Sequence, residues 1–237
     1  SFGSKMNIPI LMYHSIMDDH DKSVSINSFE MQMKLMKKMG YQTINFSSLN
    51  KNVTKKKFII TFDDGYENLI TNAFPILKKM GFSATCFIVT SMLSKYNVWD
   101  ENRNDYTKMK LMNIDQIYEW VSSGFEIGSH TKDHLDLTTL NINKKKEQII
   151  DSKNFIKEVL GIKLASFAYP FGSFDDETIK IVKQNYEYAV TTKPSKYNPN
   201  KFDKMKLPRI SINNKTSLFK FLLKILTNYE NLKYKDY

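Results

Sequence analysis

The chain has 237 residues, 41% of them hydrophobic, 13% aromatic and 25% charged, which suits one large α/β domain and excludes a disordered chain. The formal charge of +10, carried by lysine runs such as Lys55–Lys57 and Lys144–Lys146, fits solvated faces or an anionic cell-wall or membrane surface. No zinc finger, RNA-recognition signature or Gly-rich phosphate loop supports nucleic-acid binding, and no apolar run reaches the roughly 18 residues of a membrane span.

Short apolar runs alternate with helix-period segments along the chain, the pattern of repeated βα units. Residues 1–7, opening Ser1-Phe2-Gly3-Ser4, read as a tag or linker remnant, and residues 8–237 as a single domain. Ile8 to Tyr13 predicts the first strand, with His14 at its C-terminal end. Asn27, with Glu30 three residues on, predicts a helix N-cap; Phe29, Met33, Met36 and Met39 face the core and Gly40 ends the helix. Tyr41 to Phe46 and Phe58 to Phe62 read as strands, and Pro75 as a break before a helix that ends at Gly81. Ala84 to Val89 is the next strand and buries the single cysteine, Cys86, as an apolar residue. After an irregular stretch, Asn113 caps a helix with Ile114, Ile117, Tyr118 and Val121 on one face, closed by Gly124. The run Phe125 to Gly128 leads to His130, and Lys144 to Leu160 is a long helix. Ala165 to Tyr169, Tyr188 to Thr191 and Leu207 to Ile212 are the remaining strands, with helices over Asp176–Asn185 and Ser217–Asn228. Seven or so βα units in this length describe a TIM-type barrel or a deformed relative, whose chemistry sits at the C-terminal strand ends.

His14, Asp63, Asp64, His130 and Tyr169 all fall at such ends. Two adjacent carboxylates, Asp63 and Asp64, close a buried strand, which is costly unless a cation or proton is shared there. Two of the four histidines, His130 and His134, stand four apart just after another strand end. One Asp and two His make a facial ligand set for a divalent transition metal with open positions for water and substrate. The other Asp then stands where a general base belongs. Such a constellation points to a metal-dependent hydrolase. A second Phe-Asp-Asp, at Phe174-Asp175-Asp176, precedes a helix and reads as an N-cap.

Thr61-Phe62-Asp63-Asp64-Gly65, with His130-Thr131-x-x-His134, resembles the first two motifs of the polysaccharide deacetylases, the NodB homology domain of carbohydrate esterase family 4. The spacing between the motifs, the opening Leu11-Met12-Tyr13-His14 and the later Phe167-Ala168-Tyr169-Pro170-Phe171-Gly172 are also similar to that family. The resemblance implies a deformed (β/α)7 barrel whose catalytic domain spans residues 8–237. It implies Asp63 as general base, and Asp64, His130 and His134 as ligands of one divalent transition metal, zinc with cobalt, nickel or iron(II) as alternatives. The backbone N–H of Phe171 would help hold an oxyanion. Tyr169, Pro170 and Arg209 would contact substrate. The implied substrate is an acetylated amino-sugar polymer, handled by a monomer outside the cytoplasm or at a bacterial cell surface.

The chain departs from the family pattern in three places. The arginine that often orients the base in the third motif is replaced by Ala168, as in some exopolysaccharide-deacetylating branches. The late Leu-x-His that supplies a general acid has no counterpart, because no histidine follows His134. There is no Asp-x-x-Asp-Trp-Tyr motif either; the two tryptophans are Trp99 and Trp120. His14 is the remaining histidine on a strand end, as general acid or as a structural residue, and His20 reads as exposed. Arg209 is placed at the barrel mouth, to orient Asp63 or a sugar hydroxyl, with a surface salt bridge as the alternative. Two other readings stay open: a metal- and glycan-binding barrel without turnover, and a deacylase of a non-polymeric amide or ester.

Overall fold

The computed structural model describes residues 7–49, 53 and 56–234. Most of the expected N-terminal remnant, residues 1–6, lies outside the described residues, as does Lys55 of the first lysine run. Among the described residues eight strands form: β1 (Ile10–Tyr13), β2 (Gln42–Thr43), β3 (Lys57–Phe62), β4 (Thr85–Ile88), β5 (Glu126–Ser129), β6 (Ser166–Ala168), β7 (Tyr188–Val190) and β8 (Ile210–Ser211). All pair in parallel, in the order β7-β6-β5-β4-β3-β1-β8, with β2 on β3 beside this path. Runs such as Phe58-Ile59-Ile60 are buried throughout, as parallel strands covered on both faces must be.

The sheet curls into a deformed (β/α)7 barrel, closed by a short stretch of chain. Leu207 bridges Val190 of β7, while β8 pairs Ile210 and Ser211 with Leu11 and Met12 of β1. The stretch 207–211 thus joins the two ends of the sheet and removes both free edges. Ile10, Ile59, Phe87, Tyr188, Val190 and Leu207 belong to one buried cluster, and the helices pack over a larger apolar layer. Gly128 has a steric reason: a Cβ there would lie 2.4 Å from the Phe87 ring, so only glycine lets Phe87 occupy this position.

Several local expectations are corrected. The helix Ile26–Lys38 is capped by Ser25, whose extended backbone lets its Oγ accept from the Ser28 N–H, so Asn27 lies inside the first turn. The expected strand from Tyr41 shrinks to Gln42–Thr43, and Phe46 instead opens a short turn, Phe46–Ser48. Pro75 does not break its segment, because a wide π-type turn over Leu69–Ala73 runs directly into the helix Phe74–Met80 and places the proline in that helix's first turn. The Asn113 cap holds, and its own N–H donates in return to the Gln116 side-chain oxygen, but the buried face runs through Ile117 and Trp120 while Ile114 and Tyr118 are exposed. The long helix after His134 runs over residues 142–159 and contains two π-type turns, Glu147–Asp151 and Phe155–Val159. Asp175 caps the helix Asp176–Asn185 as expected, accepting from the Thr178 N–H at 2.8 Å. No described helix is long and apolar enough to cross a membrane.

Candidate active site and metal centre

The strand ends deliver the chemistry. Asp63 leaves β3 with its N–H on the Tyr13 carbonyl, and Asp64 and Gly65 then take left-handed backbone conformations (φ 76° and 81°). That turn separates the two carboxylates. Asp63 faces β8, and Asp64 faces the histidine loop. The loop after β5 is also tightly wound: Thr131 and His134 have φ of 70° and 59°, and the His134 N–H bonds the Thr131 hydroxyl at 3.0 Å. Such conformations cost energy for non-glycine residues and persist only when neighbours hold them. Here the holder is buried Gln148. Its side chain accepts from the Asp133 N–H (2.8 Å) and donates to the Asp133 carboxylate (2.6 Å), while its carbonyl takes the Lys132 N–H. The two imidazoles therefore converge through a clamped loop and not through a helix face.

Nε2 of His130 and Nε2 of His134 each lie 3.3 Å from Oδ1 of Asp64, and the three ligand atoms fall within 4.8 Å of one another. All three residues are buried. The His130 Nδ1–H donates to the Ala168 carbonyl at 2.8 Å, which leaves the Nε2 lone pair aimed at the centre. Asp64 Oδ1 is buried with no hydrogen-bond donor among the described residues, although the Tyr66 hydroxyl bonds its other oxygen at 3.0 Å. An orphaned carboxylate oxygen beside two imidazole nitrogens is the donor set a divalent cation completes. Burial pushes the Asp64 carboxyl up, yet the facing imidazoles outweigh it and hold the group well below the usual carboxylate range. Burial likewise lowers His130, but the nearby Asp64 and Asp63 carboxylates raise it overall. Both shifts have one cause: the carboxylates and the imidazoles favour each other's charged forms. His134 is positioned by rings: Trp99 stacks on it at 4.5 Å and 14°, and Phe171 meets it edge-on at 4.8 Å.

Of the expected partners of Arg209, the structure gives it Asp63 and not substrate. Arg209 is fully buried behind Asp63 and does not line the cleft, so the geometry gives it no contact with substrate. Nη1 and Nη2 grip the two Asp63 oxygens at 2.6 and 2.8 Å, Nη1 also bonds Thr61 Oγ1, and Nε bonds the Thr191 carbonyl. The guanidinium sits 5.8 Å from the Phe87 ring centre. The arginine missing at position 168 is thus replaced by one from the closing strand. Burial raises the Asp63 carboxyl, but the Arg209 charge and its paired hydrogen bonds win and lower it, so the group stays ionised. Arg209→Met is expected to destabilise the fold by about 3–5 kcal/mol in neutral urea denaturation, because a buried carboxylate is left unpaired. The folded-state pKa is depressed, so this contribution is present above the unfolded value and lost as pH falls through the folded one. The gap between wild type and variant should therefore narrow in acid. An unchanged midpoint at neutral pH would remove the pair from the account.

A cleft of about 270 Å³ opens over these groups. His14 stands at its edge, half exposed, with Nε2 4.0 Å from Asp63 Oδ2. Tyr169 lines the cleft with its hydroxyl tied to the Met205 carbonyl, and Phe171 lines it from a left-handed turn (φ 60°) with its ring largely exposed. Pro170 is buried and does not line the cleft; it opens the short turn that presents Phe171. His20 is partly covered and bonds Ser23. Sequence reasoning missed the wall built by Trp99, Asp100, Arg103 and Met109, which comes from the stretch first read only as irregular. A long connection with a tryptophan among polar residues was the available signal.

A family model described as Polysaccharide deacetylase matches residues 50–190. Bacillus subtilis YxkH, named for the same family, is 33% identical over 195 residues, which cover 79% of this chain and 65% of that protein. The poly-beta-1,6-N-acetyl-D-glucosamine N-deacetylase of Staphylococcus epidermidis is 29% identical over 81% of this chain and 68% of its own length. Among solved structures, the Bacillus cereus polysaccharide deacetylase BC0361 superposes with a TM-score of 0.81 at 30% identity, covering 93% of this chain and 69% of that one. The Streptococcus pyogenes deacetylase PplD in complex with acetate also gives 0.81, at 26% identity over 94% of this chain and 99% of that one.

Proposed function

The chain belongs to the polysaccharide deacetylase family, and on that premise we propose that it is a metal-dependent hydrolase removing N-acetyl groups from a GlcNAc-containing cell-surface polysaccharide. The observation that carries this reading is the Asp64–His130–His134 cluster beside an Asp63 held ionised by Arg209. The N-deacetylase activity named for the staphylococcal relative supports the choice of poly-GlcNAc as substrate class. Such a polymer lies outside the cytoplasm, which is where we place the protein.

Asp64, His130 and His134 would hold one divalent ion, zinc first by its two-imidazole, one-carboxylate donor set, with cobalt, nickel or iron(II) as alternatives. Bound there, the ion supplies Lewis acidity that acidifies water and polarises a carbonyl. Asp63 accepts the proton of the attacking water, whose oxygen bonds to the acetyl carbon. The Phe171 N–H donates to the oxygen on which negative charge develops. As the C–N bond breaks, His14 gives a proton to the departing nitrogen, so acetate and a free amine leave. The open cleft edge and the 4.0 Å separation from Asp63 put the imidazole within reach of the same reacting group.

His14→Ala should therefore lower kcat on an N-acetyl substrate by about 10²-fold, the low end for a lost proton donor. An aryl acetate, whose leaving group needs no proton, should lose only a few-fold. Equal losses on both substrates would assign His14 to positioning. The overall reading is tested by acetate release from β-1,6-linked GlcNAc oligomers: a chelator should abolish it and added zinc restore it. Metal-loaded protein that cleaves aryl acetates but no glycan would favour a deacylase of small esters. Because Arg209 fills the gap at Ala168, a barrel that binds without turnover loses one of its two supports.

A further inference from the structure

The three candidate ligands are each fixed by a different device. His130 is turned by the Ala168 carbonyl, which accepts from its Nδ1–H. Nδ1 of His134 has no such partner among the described residues, so the face of Trp99 orients that ring instead. Asp64 is tethered at one oxygen only. The hydroxyl of buried Tyr66 donates to Oδ2, while Oδ1 faces both imidazole nitrogens.

Two of these devices share one foundation. Between β4 and the helix that opens at Ile114 the chain doubles back as a hairpin over residues 94–112. Tyr96 bridges Lys110, the Leu111 N–H bonds the Lys95 carbonyl at 2.9 Å, and the Asn97 N–H bonds the Met109 carbonyl at 3.3 Å. Buried Asn97 closes the hairpin from within: its side chain accepts from the Met109 N–H at 2.8 Å and donates to the Thr107 carbonyl at 3.1 Å. Trp99 sits in the short turn Val98–Asp100 that follows the first arm. The second arm is stitched to the turn after β3. There Tyr66 bridges Leu111, and the Met112 N–H and Glu67 N–H bond the Gly65 and Lys110 carbonyls, each at 2.9 Å. The backbone on both sides of Tyr66 is thus pinned, and close packing leaves its buried ring little freedom. A carboxylate with both oxygens free can hold an ion through two donors. Ions that prefer oxygen ligands, such as manganese(II), gain most from the second oxygen, whereas imidazole-rich sites with few donors suit zinc.

We infer that Tyr66 is a positioning residue that limits Asp64 to one donor oxygen, biasing the centre towards zinc over oxygen-preferring ions, and that the 94–112 hairpin holds it in place. This rests on the metal-centre part of the reading above. Chelator competition gives the affinities of zinc and of manganese(II) for the wild type, Tyr66→Phe and Trp99→Ala. Tyr66→Phe keeps the buried ring and removes only the hydroxyl, and circular dichroism should stay native-like. It should weaken zinc by about 10–100-fold, the usual cost of losing a ligand's supporting partner. The freed Oδ2 should offset that loss for manganese, so the zinc-to-manganese affinity ratio falls by about tenfold or more. Trp99→Ala removes the stack on His134 and leaves Asp64 untouched, so it should weaken both ions with the ratio near that of the wild type. General loosening of the site would also weaken both ions together. An unmoved ratio in Tyr66→Phe, or an equal fall in Trp99→Ala, therefore overturns the single-oxygen role while the metal centre stands. A wild type that binds neither ion brings down the metal-centre reading as well.

Discussion

Asp63→Asn is expected to keep the metal and lose turnover by about 10²–10⁴-fold, the usual contribution of a positioned general base. The amide nearly matches the carboxylate in shape but has no basic oxygen to accept a proton from water. Its surroundings add a second effect. Arg209 grips both Asp63 oxygens, so the variant turns an NH2 group towards one guanidinium nitrogen and leaves that buried donor without an acceptor. Some stability should be lost with activity, and the melting temperature must be recorded beside kcat. Metal content by elemental analysis settles the role. Stoichiometric metal with little turnover fits a base, whereas loss of both would make Asp63 a ligand and exchange the roles of the two aspartates.

His134→Ala should abolish metal retention in a protein that still folds. Two of the three donors remain, and competition with a chromophoric chelator should show affinity weakened beyond the 10–100-fold typical of altering a ligand's supporting partner. The fold survives because the ring sits between Trp99 and Phe171 at the cleft, outside the strand layer that closes the barrel. Circular dichroism should be native-like. Normal affinity for stoichiometric metal in this variant would end the ligand assignment.

The parts of this site legible in the sequence are those that announce themselves locally. Asp63-Asp64-Gly65 follows an apolar run, and two imidazoles follow the next strand but one; adjacency on a parallel sheet does the rest. Strand positions were legible for the same reason, since fully buried parallel strands write uninterrupted apolar runs. For Arg209 the sequence leaves Asp63 and substrate as alternative partners, and the choice of Asp63 depends on ring closure between residues 146 positions apart. No local pattern encodes that. Trp99 was overlooked because a ring that stacks on a ligand has no period, and Gln148 because an amide on a helix gives no sign that it will clamp a loop from another strand. The Asn27 cap and the break at Pro75 fail more simply: neighbouring residues offer equally good local chemistry, and packing chooses between them.

Closure of the sheet by the stretch 207–211 also governs when Asp63 gains its countercharge. Contacts between β1 and β8 span nearly the whole described chain, and pairings of such separation form late because loop closure must be met first. Until they form, Asp63 has no countercharge, and a carboxylate entering an apolar interior alone is held back in water or takes up a proton. The half-built sheet therefore cannot hold Asp63 both buried and ionised. Burial of an ionised Asp63 and completion of the ring become one event, with the guanidinium of Arg209 as the latch.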